Sequence, residues 1–251
     1  MKALRAAWPP AAAVAAFLLA WEGAVRAVWF PPFLFPGPGA VARAFAEDAA
    51  LVASHAASSF GIAVAGLACG FAFGLGVACV LHLARPLRAA LAPLLILSQN
   101  VPTIVLAPLL VVWFGFGWMP KLALLTLVCF FPIAVSTMDG LARADRNMVG
   151  YMRMAGASRW QMFAKLELPW ALPSLFSGLK VSAAYSVLGA VVAEWAGASR
   201  GLGVYLNLMK SGYRVDRMFV AIAVIAALSL LLYSLVAGCE RRWIRWHRDR
   251  E

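Results

Sequence analysis

Few polar side chains in this chain could do chemistry, and most stand in apolar surroundings. Ser98, Gln99, Asn100 and Thr103 interrupt "APLLILSQNVPTIVLAPLL" beside Pro102, with Pro93 and Pro108 flanking. An amide left unpaired in hydrocarbon costs several kcal/mol, so these groups must face protein or a wet cavity. Two arrangements satisfy that demand: hydrogen bonds between helices around proline-freed carbonyls, or a broken helix lining a translocation pathway. Glu194, in "GAVVAEWAGASRGLGVY", either reaches water at a membrane interface or forms an outer gate or a contact with an extracellular partner. An enzyme built on Glu194, Asp139 or Gln99 would need a second convergent acid, a histidine cluster or a nucleophile–base pair, and the sequence offers none. His55, His82 and His247 lack metal-ligand spacing. Cys69, Cys79, Cys129 and Cys239 form no C-x-x-C and read as small core residues. A channel or a secondary carrier is a third class; proton or sodium coupling would show more acids at mid-span.

The elements that hold these groups are membrane helices. The chain is 63% hydrophobic and 13% charged, which leaves too little charge for a soluble surface of this size. Residues 60–84, 89–120 and 218–239 carry no Asp, Glu, Lys or Arg, and about 20 apolar residues span a bilayer as a helix. Six spans are predicted, at residues 8–30, 59–83, 88–114, 120–138, 172–195 and 217–239. The first continues past Trp21 into "VWFPPFLFP", which fits a span better than a cleaved leader. It places Glu22 and Arg26 at a pairing distance of four residues. Gly66, Gly70 and Gly74 in the second span predict close backbone packing.

Basic residues set the predicted orientation. Both ends and the odd loops hold Lys2, Arg5, Arg85, Arg88, Arg143, Arg146, Arg153, Arg159, Lys165, Arg241, Arg242, Arg245, Arg248 and Arg250. The other side holds Arg43, Lys121, Arg200, Lys210, Arg214 and Arg217. Fourteen against six predicts both termini in the cytoplasm. The net charge of +11 is thereby accounted for by cationic loops, with no need for nucleic acid.

The longest of these loops, residues 139–172, carries a patterned module. Met148, Met152 and Ala155 recur at helical spacing, so residues 147–155 read as a short helix. Gly156 then ends it as a left-handed cap. Ala157 leads to Ser158-Arg159-Trp160-Gln161, a capping box that opens a second helix. Trp160, Phe163 and Ala164 put an apolar edge on that helix, facing the cytoplasm. Pro169 is expected to terminate it, and Pro173 to sit in the first turn of span five. Such a module either lies on an anionic leaflet or docks into a soluble partner.

"GASRWQMFAKLELPWALPSLFSGLKVS", with nine residues between Gly156 and "LELP", resembles the cytoplasmic signature of binding-protein-dependent ABC importer permeases. The similarity extends over "GAVVAEWAGASRGLGVYL" and back to "NVPTIVLAPLLVVWFGFGWMPKLALLTLVCFFPIAV", covering residues 55–245. It implies an all-α membrane protein of six transmembrane helices, with the type I ABC importer permease fold and a cytoplasmic coupling helix. One transmembrane domain would fill the chain: a first span and external loop at 1–55, and the permease core at 56–245. The resemblance implies that the chain is a transporter subunit in the inner membrane, and no enzyme. It assigns ATPase coupling to Met152, Ala155, Gly156, Ala157, Ser158, Arg159, Trp160, Phe163, Leu168 and Pro169. The translocation pathway or gate falls to Ser98, Gln99, Asn100, Thr103, Tyr185 and Glu194. Implied partners are a second copy of the permease, two ABC ATPase subunits, an extracytoplasmic binding protein and membrane lipid. With no G-x-x-x-x-G-K-[ST] loop in this chain, ATP and Mg would be held by the ATPase. The signature often opens Glu-Ala-Ala; Gly150-Tyr151-Met152 stands there, so that glutamate is missing, and Leu166 stands where isoleucine is common.

"VPTIVLAPLLVVWFGFG" and "EWAGASRGLG" resemble permeases for aromatic vitamin-type compounds, thiamine pyrimidine precursors or riboflavin; sulfonate, taurine and nitrate permeases are close relatives. Gln99, Asn100, Tyr185 and Trp113 are neutral, and no Arg or Lys at mid-membrane would meet a sulfonate. The expected substrate is a neutral or cationic heterocycle.

Overall fold

A computed structural model describes residues 2–27, 31, 33–98 and 100–244. Gln99 and His247 lie outside the described residues, and the Ser98 side chain is likewise not described. Every regular element among them is helical: α1 (Lys2–Arg26), α2 (Pro38–Leu83), α3 (Arg85–Ser98), α4 (Thr103–Phe114), α5 (Trp118–Ala142), α6 (Arg146–Met154), α7 (Arg159–Met162), a π-turn (Phe163–Glu167), α8 (Leu168–Trp195), α9 (Leu202–Ser211) and α10 (Val215–Trp243).

Four stretches are long and apolar enough to cross a membrane: α2, α5, the continuous Arg159–Trp195 run and α10. The third expected span is two shorter apolar helices, α3 and α4. The chain breaks at Asn100 to Pro102, where proline removes a donor and bars the preceding residue from helical geometry. α1 overlaps the first expected span as far as Arg26 but is not among the four stretches long and apolar enough to cross a membrane; its Glu22 and Arg26 pair at 2.9 Å. Trp21 packs its ring against Phe35 and Phe219.

Two expectations about chain ends need correcting. The segment before span two is no loop: α2 runs unbroken for 46 residues, about 69 Å at 1.5 Å per residue. Alanines at 40, 42, 44, 46, 49 and 50 keep helical propensity high there. Nor do the prolines end the second cytoplasmic helix. α7 passes through the π-turn into α8, with Leu168 N–H bonded to the Phe163 carbonyl five residues back. That wider turn takes up the ring of Pro169, which would otherwise press on the preceding turn. Pro173 then sits inside α8, beyond its first turn.

The core is a three-helix contact of α2, α5 and α8, with Ile62, Leu67, Leu125, Ile133, Val187 and Ala190 among its buried members. Glycines make it tight. A methyl on Gly66 would collide with Leu125, and one on Gly70 would lie 2.5 Å from Cys129 Cβ. A methyl on Gly178 of α8 would fall equally close to the Pro132 carbonyl. Where lipid gives no hydrophobic drive, such approach lets dispersion and polar contacts hold helices together. One such contact is Ser182, whose Oγ donates to the Cys129 carbonyl at 2.8 Å. Of the four cysteines only Cys129 is a core residue; Cys69 and Cys239 face outward from the bundle and Cys79 is half-buried.

Candidate functional site

The module between α5 and α8 forms as its sequence requires. Asp145 caps α6 by accepting from the Asn147 N–H at 2.8 Å. At the other end Gly156 adopts φ +78°. Its N–H donates to the Arg153 carbonyl, and Ala157 N–H donates to Met152, the paired bonds of a Schellman cap. Ser158 and Gln161 complete the capping box, with bonds of 2.8 and 3.2 Å. Met148, Tyr151, Met154 and Trp160 stand exposed, with Met152 half-buried. Ala155 and Arg159 share that exposed surface.

Phe163, expected on the exposed edge, is instead 4% exposed. It packs with Leu141, Ala171 and Leu168 and lies 6.0 Å from the His82 ring, while Trp160 covers it from outside at 5.5 Å. His82 Nε2 meets Glu167 Oε2 at 2.8 Å, joining the end of α2 to the π-turn. Sequence reasoning missed this pair: the residues are 85 positions apart, and neither sits in a pattern that names the other.

At the break between α3 and α4, Thr103 and Tyr185 line one cavity of about 390 Å³. Leu127, Phe131, Pro132, Leu188 and Gly189 complete much of its wall, and no lining residue carries a charge. Asn100 is exposed at the break and is not part of that wall. Trp113, at the far end of α4, is also exposed. Phe131, Pro132 and Gly189 are the unforeseen members, because apolar residues in a span give no local sign of which face is lined.

Glu194 lies elsewhere, at the C-terminal end of α8. It is 1% exposed, so it does not reach water. Ser59 Oγ donates to Oε1 at 2.7 Å and Gly203 N–H to Oε2 at 2.8 Å. Leu202 N–H donates to Ser59 Oγ at 2.7 Å, and Gly201 N–H to His55 Nδ1 at 3.0 Å. The start of α9 is thus clamped between α2 and α8. Tyr205, fully buried, extends the clamp by donating to Asp48 at 3.1 Å, and Asp48 pairs with Arg217 at 2.7 Å. Burial, and then the Asp48 carboxylate, push the Tyr205 hydroxyl up to about 12. His55 and Ser59 are one turn apart in sequence, but only the fold reveals their partners.

The profile of the family described as binding-protein-dependent transport system inner membrane component matches residues 70–245. The chain belongs to that family. It is a permease subunit of an ABC importer, an inner-membrane protein and no enzyme, that works with ATPase subunits and a substrate-binding protein. A probable ABC transporter permease of Haemophilus influenzae is 34% identical, over 94% of this chain and 96% of its own length. The riboflavin transport system permease RibX of Chloroflexus aurantiacus is 32% identical over 91% and 86%. The formylaminopyrimidine transport permease ThiX of Halalkalibacterium halodurans is 32% identical over 92% of each. Permeases named for taurine and aliphatic sulfonates also match. Among solved structures, the inward-facing methionine transporter MetNI aligns with TM-score 0.66, at 22% identity, over 76% of this permease and 95% of that chain. The fold is that of type I ABC importer permeases.

Proposed function

We propose that this permease imports a neutral or cationic aromatic heterocycle, of the thiamine-pyrimidine or riboflavin type, through the cavity at the α3–α4 break. The observation that carries the reading is the wall itself: two hydroxyls, Thr103 and Tyr185, beside the Phe131 ring, and no charged side chain. A flat heterocycle gains ring contacts and a few oriented hydrogen bonds there, whereas a sulfonate would lose its hydration with no cation in return. Asn100, exposed at the same break, extends the path, and Glu194 holds the separate clamp that positions α9. Two copies of the permease enclose the pathway across a two-fold axis, with both termini cytoplasmic as the basic loops favour. ATP and Mg are held by the ATPase partner, which seats α6 and α7 through Met152, Ala155, Gly156, Ala157, Ser158, Arg159 and Trp160; Phe163, Leu168 and Pro169 anchor that module to α8.

Uptake into proteoliposomes holding the permease, its ATPase and its receptor tests the reading. Labelled formylaminopyrimidine or riboflavin is expected to accumulate with ATP, and accumulation of taurine alone would overturn it. Tyr185→Ala is expected to lower that uptake about tenfold, the effect of roughly 1.4 kcal/mol, while ATPase binding in a pull-down stays intact. Tyr185→Phe separates the ring from the hydroxyl, because it retains the ring contact.

A further inference from the structure

A second cavity, of about 470 Å³, opens beside the cytoplasmic module, between the ends of α2 and α5, the start of α3 and the face of α6. Arg88, Arg146 and Arg153 line it together with the His82–Glu167 pair. A smaller pocket of about 90 Å³ shares His82, Arg153 and Glu167 with it and adds Arg159. Four arginines therefore line two adjoining pockets that share one carboxylate, which His82 already engages. Among the described residues none of the four arginines forms an ion pair. Gly150 forms part of the wall, and a methyl added there would meet nothing within 4 Å.

We infer that this cleft binds a phosphate-class anion, supplied by an anionic lipid headgroup or as free phosphate. Like charges crowded into a concave wall repel one another, and an anion seated among them removes that repulsion. Guanidinium forks match phosphate oxygens in pairs, which favours phosphate over a halide. The chain position points to a headgroup as source. α2 and α5 end at the cleft and α8 begins there, so it lies where three long apolar helices leave the hydrocarbon, and basic pockets at that depth suit anionic headgroups. The headgroup source rests on the proposed cytoplasmic placement of this end. The anion site does not, and its assay needs no ATPase, receptor or transport.

Full-length permease in a neutral detergent is titrated with phosphatidylglycerol, phosphatidylcholine and inorganic phosphate, with bound species counted by native mass spectrometry. Phosphatidylglycerol is expected to bind more tightly than phosphatidylcholine, by about fivefold for each engaged arginine, and less so at high salt. Arg146→Gln with Arg153→Gln is expected to lower that preference at least tenfold. Gly150→Glu should do the same, because its carboxylate occupies the cavity. Arg241→Gln with Arg242→Gln, exposed at the end of α10, is the charge-matched control and should change little. Displacement of the lipid by inorganic phosphate would assign free phosphate as a source; no displacement would assign the headgroup. Unchanged lipid preference in the Arg146/Arg153 variant, or equal loss in the Arg241/Arg242 control, overturns the site. Melting in neutral detergent reports whether each variant is folded, and the arginine pair keeps the test decisive where Gly150→Glu does not fold.

Discussion

Gly156→Val is expected to lower import per ATP hydrolysed about 5–30-fold, the span set by 1–2 kcal/mol, while the membrane bundle melts as before. The cause is the backbone alone. Gly156 holds φ +78°, and a side chain there would meet nothing within 4 Å, so crowding is no part of the effect. A non-glycine residue in the left-handed region costs about 1–2 kcal/mol, and a β-branched one is a stronger outlier still. The Schellman bonds from Gly156 and Ala157 fix the angle between α6 and α7; losing them lets the two helices swing independently. If this module is the proposed lever, one that swings transmits less, so hydrolysis should continue while uptake falls. Gly156→Asn is the companion, since asparagine tolerates this region, and it should retain most of the coupling. Valine with wild-type import per ATP would show that the cap does not matter to coupling.

Glu194→Ala is expected to give the largest loss of stability among single changes in the clamp between α2, α8 and α9. The change leaves Gly203 N–H without its acceptor inside a closed site and frees Ser59 to turn away from Leu202. Each buried donor so orphaned costs about 1–3 kcal/mol, a large part of the 5–15 kcal/mol that holds an ordinary domain together. Gly201→Ala attacks the same clamp from the other side. Its φ is +134°, and the new methyl would fall on the Glu194 carboxylate. Glu194→Gln keeps the shape and one acceptor oxygen, so it should lose less than alanine. Thermal melting followed by fluorescence-detected gel filtration measures all three. An alanine variant that melts with the wild type would mean the clamp is not closed in the membrane.

How much of this was legible depended on how local each cause is. The Gly156 cap and the Ser158–Gln161 box formed as read, because every group involved lies within a few residues of its partner. The glycine ridge at 66, 70 and 74 foretold close packing without naming Leu125, Cys129 and Phe130 as what it meets. Pro102 and its polar neighbours left a broken helix as one of two readings, and the break is there between α3 and α4; the family likeness was carried by the same stretches. The Glu194 clamp was illegible, since its partner Ser59 lies 135 residues away. Phe163 was misplaced for a related reason: the apolar edge of α7 was drawn at α-helical pitch, and the turn that follows is wider. Pro169 misled in the same place. A proline at a turn can stop a helix or be absorbed by it, and the choice lies in the tertiary contacts of Leu168 and Ala171.

That wider turn has a rotational consequence. A π-turn carries one residue more than the α-turn it replaces, and one residue of α-helix is worth about 100° about the axis. Phe163–Glu167 therefore sets the azimuth of Trp160 and Arg159 relative to the side of α8 that carries Tyr185. On the proposed function, those five residues set the angular offset between the surface offered to the ATPase and the wall offered to the substrate.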